Sequence, residues 1–241
     1  MIKDSNLVIG IVGGMGSYAT VDLFKRILDA FPTEKDWEKP RILIDNYSTI
    51  PSRVRAVLYN ERKDEVIECL ASSIRNLMNA GNVQKIIVGC HTAHIFLPDA
   101  VKLVEGSENC VVNIIDAAVD QCVRKKFDSV RLLATEGTVQ TGIYMDHLSR
   151  ADINVVNPSE KELKNIRSII EDVKQNKMSA GTAELFHKMV EKDKTPVLLG
   201  CSELPVIFRY CKESGLKFDN EVTDPFQIVI DELVQSASVS E

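Results

Sequence analysis

The chain has no apolar run longer than about six residues, against the roughly 20 needed to cross a bilayer, so a membrane-spanning helix is not expected. It has no excess of positive charge. Its 29 Lys and Arg stand against 35 Asp and Glu, for a formal net charge of −6 and a pI near 5.4. Phosphate binding needs clustered Lys and Arg, so neither nucleic acid nor an anionic membrane is expected as a partner. The opening MIKDSNLVIG contains neither a long apolar segment nor a small-residue cleavage site. No signal peptide is read there, and a reducing, cytoplasmic location is expected. Low-complexity stretches and linkers are missing as well. No C-x-x-C pair occurs, which weighs against zinc, although Cys90, His91, His94 and Cys201 are ligand types.

What is present is an ordinary globular mixture, 44% hydrophobic and 27% charged, in 241 residues. Such a chain buries roughly 70–75% of its unfolded surface and needs no disulfide to hold it. The six cysteines are therefore read as thiols. Cys69, Cys110, Cys122 and Cys211 are read as inert.

Short β-branched runs occur at Leu7–Val12, Arg41–Asp45, Lys85–Gly89, Val111–Ile115, Val130–Ala134, Ile153–Val156 and Pro196–Gly200. Between them lie stripes with helical spacing: Leu23, Phe24, Ile27, Leu28 and Phe31; Val66, Leu70, Ile74, Leu77 and Met78; Ile166, Ile169, Ile170 and Val173; Ile228, Ile230, Leu233 and Val234. This alternation predicts α/β architecture with mostly parallel sheets. Ligands in such folds sit at the C-terminal ends of strands. Four segments qualify: GGMGS (Gly13–Ser17), GCHTAH (Gly89–His94), TEGT (Thr135–Thr138) and GCSELP (Gly200–Pro205).

Two of the four resemble each other. KIIVGCHTAHIFLP and TPVLLGCSELPVIF both run apolar strand, Gly, Cys, polar, polar, and their cysteines lie 111 residues apart. The simplest reading is an internal repeat, two α/β lobes that each give one Cys to a shared cleft. Two thiols facing one carbon from opposite sides, roughly 6–7 Å apart, could remove a proton from one face and deliver one to the other. That inverts a stereocentre without a cofactor. It requires a thiolate, and helix N-termini at the strand-to-helix turns are expected to lower the thiol pKa.

At these residues the chain resembles the aspartate/glutamate racemase family. GIVGGMGSYAT (Gly10–Thr20) resembles its GGMGP-x-AT opening, IPSR (Ile50–Arg53) its IP-x-R, and GCHTAH its CNTAH. LLATEGTVQTGIY (Leu132–Tyr144) resembles its LLAT-x-GT, GCSELP its GCTELP, and VTDP (Val222–Pro225) its late I-D-P. The resemblance implies two Rossmann-like lobes, each a mostly parallel sheet flanked by helices, related by a pseudo-twofold. The expected division is residues 1–108 with 216–241, carrying Cys90, and 109–215, carrying Cys201. The resemblance also implies a homodimer and a cofactor-independent racemase acting on a small amino acid, aspartate or glutamate. Cys90 and Cys201 would be the acid/base thiols. Arg53 and Lys174 would meet the side-chain carboxylate. Met15 and Gly16 would bring backbone N–H groups to the substrate, and Thr92 and Thr138 would offer donors to its α-carboxylate. Glu203 would orient the site or hold the ammonium, and Ser202 keeps the hydroxyl of the family's Thr.

His91 departs from the family's Asn. A charged His could strengthen the Cys90 thiolate, narrow the pocket or change the amino acid that fits. Other readings stay open here. Gly14-Met15-Gly16-Ser17-Tyr18-Ala19 formally matches G-x-G-x-x-A, but Asp45 lies too far on for the usual ribose ligand. A Cys–His hydrolase or isomerase, and an inactive racemase-like binding protein, are the remaining alternatives.

Overall fold

The computed structural model describes residues 7–239. Four parallel strands build a first sheet: β1 (Val8–Gly13), β2 (Arg41–Asn46), β3 (Lys85–Val88) and β4 (Val111–Val112), in the order β2-β1-β3-β4. Four more build a second: β5 (Ser129–Ala134), β6 (Asn154–Val156), β7 (Val197–Gly200) and β8 (Val222–Thr223), in the order β6-β5-β7-β8. The two orders are the same when each sheet is counted from its own first strand. The repeat read between the Cys90 and Cys201 segments is therefore a repeat of topology, with β3 and β7 as equivalent inner strands.

The helical stripes fall where their spacing puts them. α1 (Ser17–Ala30) buries Leu23 and Ile27, and α3 (Lys63–Ala80) buries Val66, Leu70, Ile74 and Leu77. α8 (Glu160–Lys174) buries Ile166, Ile169, Ile170 and Val173. It starts at a capping box, in which Ser159 Oγ accepts from the Glu162 N–H while the Glu162 carboxylate accepts from the Ser159 N–H. α11 (Pro225–Val239) carries the last stripe and packs on α1 and on α5 (Ile114–Arg124).

Two local expectations differ. Val111–Ile115 is not one strand. Pairing stops at Val112, because the Asn113 side chain accepts from the Ile115 N–H and caps α5. Ile114 and Ile115 are buried as the first turn of that helix. The two-residue β8 has too little pattern to read. β4 pairs with β3 of the first sheet, and β8 pairs with β7 of the second.

The core is three apolar clusters. One surrounds α3 and includes Cys90, and another surrounds α8 and includes Cys201. The third joins the halves, packing Ile9, Ile11 and Ile27 together with Val130, Leu132, Tyr144, Phe226 and Ile230. Buried charge joins them too. Arg26 of α1 donates to Asp224 at 2.6 Å, and Asp22 of α1 meets Arg209 of α10 (Leu204–Glu213).

At the turn after β1, Gly14 adopts φ +83°, and an added Cβ would stand 2.5 Å from the Ser48 backbone nitrogen. Both the conformation and the close approach demand glycine. Gly14→Ala is expected to cost more than about 2 kcal/mol, from left-handed strain plus backbone overlap. Denaturant midpoints of the two proteins measure it.

Candidate active site

Cys90 lies just past β3, at the first turn out of the strand, where its N–H donates to the Val88 carbonyl at 2.8 Å. Cys201 lies just past β7, and its carbonyl accepts from Leu204 at the start of α10. Both are buried free thiols. Topologically equivalent strands thus deliver both cysteines to one cavity of about 60 Å³. Met15, Arg53, His91, Thr92, Lys174, Ser202 and Glu203 line it as well. A second space of about 210 Å³ adjoins it, and Ser52, Val54, Thr135, Ile170 and Lys174 border both.

The Cys201 thiol donates to Glu203 Oε2 at 3.0 Å, and Ser202 Oγ donates to the same oxygen at 3.0 Å. Burial, then the charge of Glu203 and that hydrogen bond, push the Cys201 thiol well above its usual pKa. The expected lowering by helix N-termini does not hold for Cys201. Desolvation outweighs that field, and the resting group is a thiol. The other carboxylate oxygen, Glu203 Oε1, is buried without a partner among the described residues.

Arg53 opens α2 (Arg53–Tyr59), where Ser52 caps the helix by accepting from the Arg55 N–H. The Arg53 guanidinium donates to the carbonyls of Ile50, Pro51 and Met15 at 2.9–3.1 Å. Its Nε is buried and unpartnered, and no carboxylate among the described residues pairs with it. A half-buried cation whose guanidinium is held only by carbonyls is a ready acceptor of an anionic ligand. Lys174 stands at the boundary of the two spaces and pairs loosely with Glu171 at 3.6 Å.

Two expected site residues stand behind the cavity wall. Thr138 Oγ1 is bonded to Thr92 Oγ1 at 2.8 Å, and both reach Thr135 Oγ1 at 3.1 Å. This triangle ties the turn after β3 to α6 (Glu136–Thr141), in the second half. Gly16 lies against Glu203, whose Oε1 would be 2.8 Å from an added Cβ. Ser52, Val54, Thr135 and Ile170 line the cavity without having been singled out. Ser52 and Thr135 sit inside IPSR and LLATEGT, so position in those segments was the available signal.

His91 is not the cation that its residue type allowed. Burial, with His94 beside it, lowers its pKa well below 6.5, so the ring is neutral. His94 Nδ1 is 2.9 Å from the Cys90 carbonyl, the distance of a hydrogen bond that braces the turn carrying the thiol. Burial brings the His94 pKa down to about 4. The unfolded chain protonates this ring below about pH 6.5, while the folded chain resists until about pH 4. Stability should therefore fall as pH drops through that window, by up to about 3 kcal/mol from His94. Urea midpoints at pH 7 and pH 4.5 should show the loss, and His94→Gln should reduce it to the part that His91 contributes. Among the described residues, no group of three or more His, Cys, Asp or Glu side chains is placed to hold a metal ion.

The family model for Asp/Glu/Hydantoin racemase matches residues 12–233. The chain belongs to the Asp/Glu/hydantoin racemase family. It is thereby an enzyme of the isomerase class, as its motifs led one to expect. The aspartate racemase of Picrophilus torridus superposes with a TM-score of 0.80 at 26% identity, covering 97% of this chain and 95% of that one. An aspartate racemase homologue from Pyrococcus horikoshii gives 0.71 at 24% identity, covering 99% and 100%. In sequence, glutamate racemase 3 of Caldanaerobacter subterraneus is 22% identical over 206 residues, 84% of this chain and 69% of that protein. The two-lobed racemase fold is thus shared across its whole length. No helix among the described residues of this family member is long and apolar enough to cross a membrane.

Proposed function

We propose that this racemase interconverts L- and D-aspartate by two-base proton transfer between Cys90 and Cys201. One observation carries the reading. The cavity holding both thiols also holds an unpartnered guanidinium Nε of Arg53 and an unpartnered carboxylate oxygen of Glu203. These complement a zwitterionic amino acid, with a carboxylate on Arg53 and the ammonium on Glu203. Lys174 swings from Glu171 to add a second cation. In one direction, Cys90 as thiolate takes the Cα proton, so that the Cα–H bond breaks and an S–H bond forms. The Cys201 thiol gives its proton to the opposite face and is left as thiolate. The reverse reaction returns both protons. The small cavity and the aspartate racemase of Picrophilus torridus favour a four-carbon substrate over glutamate.

The test is incubation with L-aspartate and, separately, L-glutamate in D₂O without pyridoxal phosphate. NMR follows loss of the α-proton, and chiral chromatography follows the D-enantiomer. Exchange with inversion, faster for aspartate, is expected. Faster turnover of glutamate would reassign the substrate, and no exchange with either would overturn the reading.

A further inference from the structure

His91 comes from the first half of the chain but is held by the second. Its Nδ1 lies 2.7 Å from the Tyr144 hydroxyl, on α7 (Ile143–Ser149), and its ring meets Phe226 edge-on at 5.0 Å. Both His91 and Tyr144 are buried, and His91 borders the catalytic cavity. Its Nε2 is buried with no partner among the described residues.

Counting donors chooses the tautomer. If Nδ1–H donated to the tyrosine oxygen, the buried Tyr144 hydrogen and the Nε2 lone pair would both be left unmet. If Tyr144 donates to Nδ1, only one group is unmet, the N–H on Nε2. Buried unmet groups are costly, so the second arrangement is favoured. The one donor left over belongs to a side chain that borders the space proposed for substrate.

We propose that Tyr144 is a positioning residue that fixes His91 as the Nε2–H tautomer, and that this N–H donates to a carboxylate oxygen of the substrate. The inference rests on the proposed racemase reading of the same cavity. It gives His91 a defined role. The residue acts as a neutral single donor, and it reports the Tyr144 hydroxyl to the ligand. A donor of fixed direction selects for an acceptor oxygen at that point, such as a carboxylate oxygen, and against a second donor such as an amide NH2.

The experiment uses the whole protein labelled with ¹⁵N-histidine. The chain has four histidines, and His91→Asn assigns the signal. Two-bond ¹⁵N–¹H correlations should show His91 as the Nε2–H tautomer near pH 7. Saturating L-aspartate should shift that N–H. Tyr144→Phe should give a tautomer mixture and raise KM about 10-fold, with kcat within a few-fold of wild type and a lower Tm from the unmet His91 Nδ1. An Nδ1–H tautomer in the wild type would overturn the proposal. So would an unshifted signal with aspartate, or an unchanged KM in Tyr144→Phe. If the signal shifts but neither amino acid turns over, the donor role stands and the racemase reading fails, so the two are separable. A purely packing role for Tyr144 predicts a lower Tm with the tautomer unmoved, which also overturns the proposal.

Discussion

Cys201→Ala is expected to lower kcat for racemisation by about 10²–10⁴-fold, the range removed when a positioned acid or base is lost. The reasoning begins at the thiol itself. Cys201 is buried, donates to Glu203 and is held protonated, so it is the proton donor of the resting site. Without it, Cys90 can still take a proton from the enantiomer whose Cα–H faces it. Deuterium washout without inversion should therefore persist for one enantiomer only. Cys90→Ala should show the mirror pattern, with washout confined to the other enantiomer. Cys201→Ser separates chemistry from packing. It keeps a donor to Glu203, but an alcohol is a far weaker acid than a thiol, so inversion should stay lost while stability is retained. Near-normal inversion in either alanine variant would sink the two-base scheme.

Arg53→Ala carries the second largest effect. The guanidinium has no counter-ion among the described residues, and its Nε is unmet. Removing one partner of a buried charged pair costs about 2–5 kcal/mol, so KM for aspartate should rise at least 30-fold. The same side chain ties together the carbonyls of Ile50, Pro51 and Met15, so some loss of stability is expected as well. Arg53→Lys distinguishes the two. A lysine keeps the charge but not the fork, so it should recover only part of the lost affinity. An unchanged KM in Arg53→Ala would move the carboxylate elsewhere in the cavity.

Much of the fold was legible in the sequence because each element has a strong local signature. The Val66 to Leu77 stripe repeats with helical period, and the runs ending at Val12, Val88 and Gly200 are continuous apolar strands bounded by Gly. β4 and β8 were not legible at their true lengths. Two residues carry no period, and the Asn113 cap that ends β4 looks like any other asparagine in an apolar run. The cysteine pair was legible because it repeats. The charge states were not. That His91 is neutral follows from burial against Tyr144 and Phe226, and that the Cys201 thiol is raised follows from burial and the charge of Glu203; both are set by the folded neighbourhood rather than by the residue. Thr138 and Thr135 illustrate the same limit at finer scale. They share one helical turn, yet Thr135 borders the cavity while Thr138 stands behind it, spent on Thr92.

The apolar cluster that joins the halves also bears on how the chain is made. Every strand of the first sheet lies before residue 113, so that sheet has all its partners long before synthesis ends. Its Ile9, Ile11 and Ile27, however, are covered by Val130, Leu132, Phe226 and Ile230, from the second half and from the C-terminal helix. A nascent first half therefore presents a sticky apolar face for as long as translation takes to supply its cover, roughly 6–24 s for a further 120 residues at 5–20 residues per second. On the ribosome, that interval is when this protein most needs a chaperone, and slowing translation after the first sheet would lengthen it.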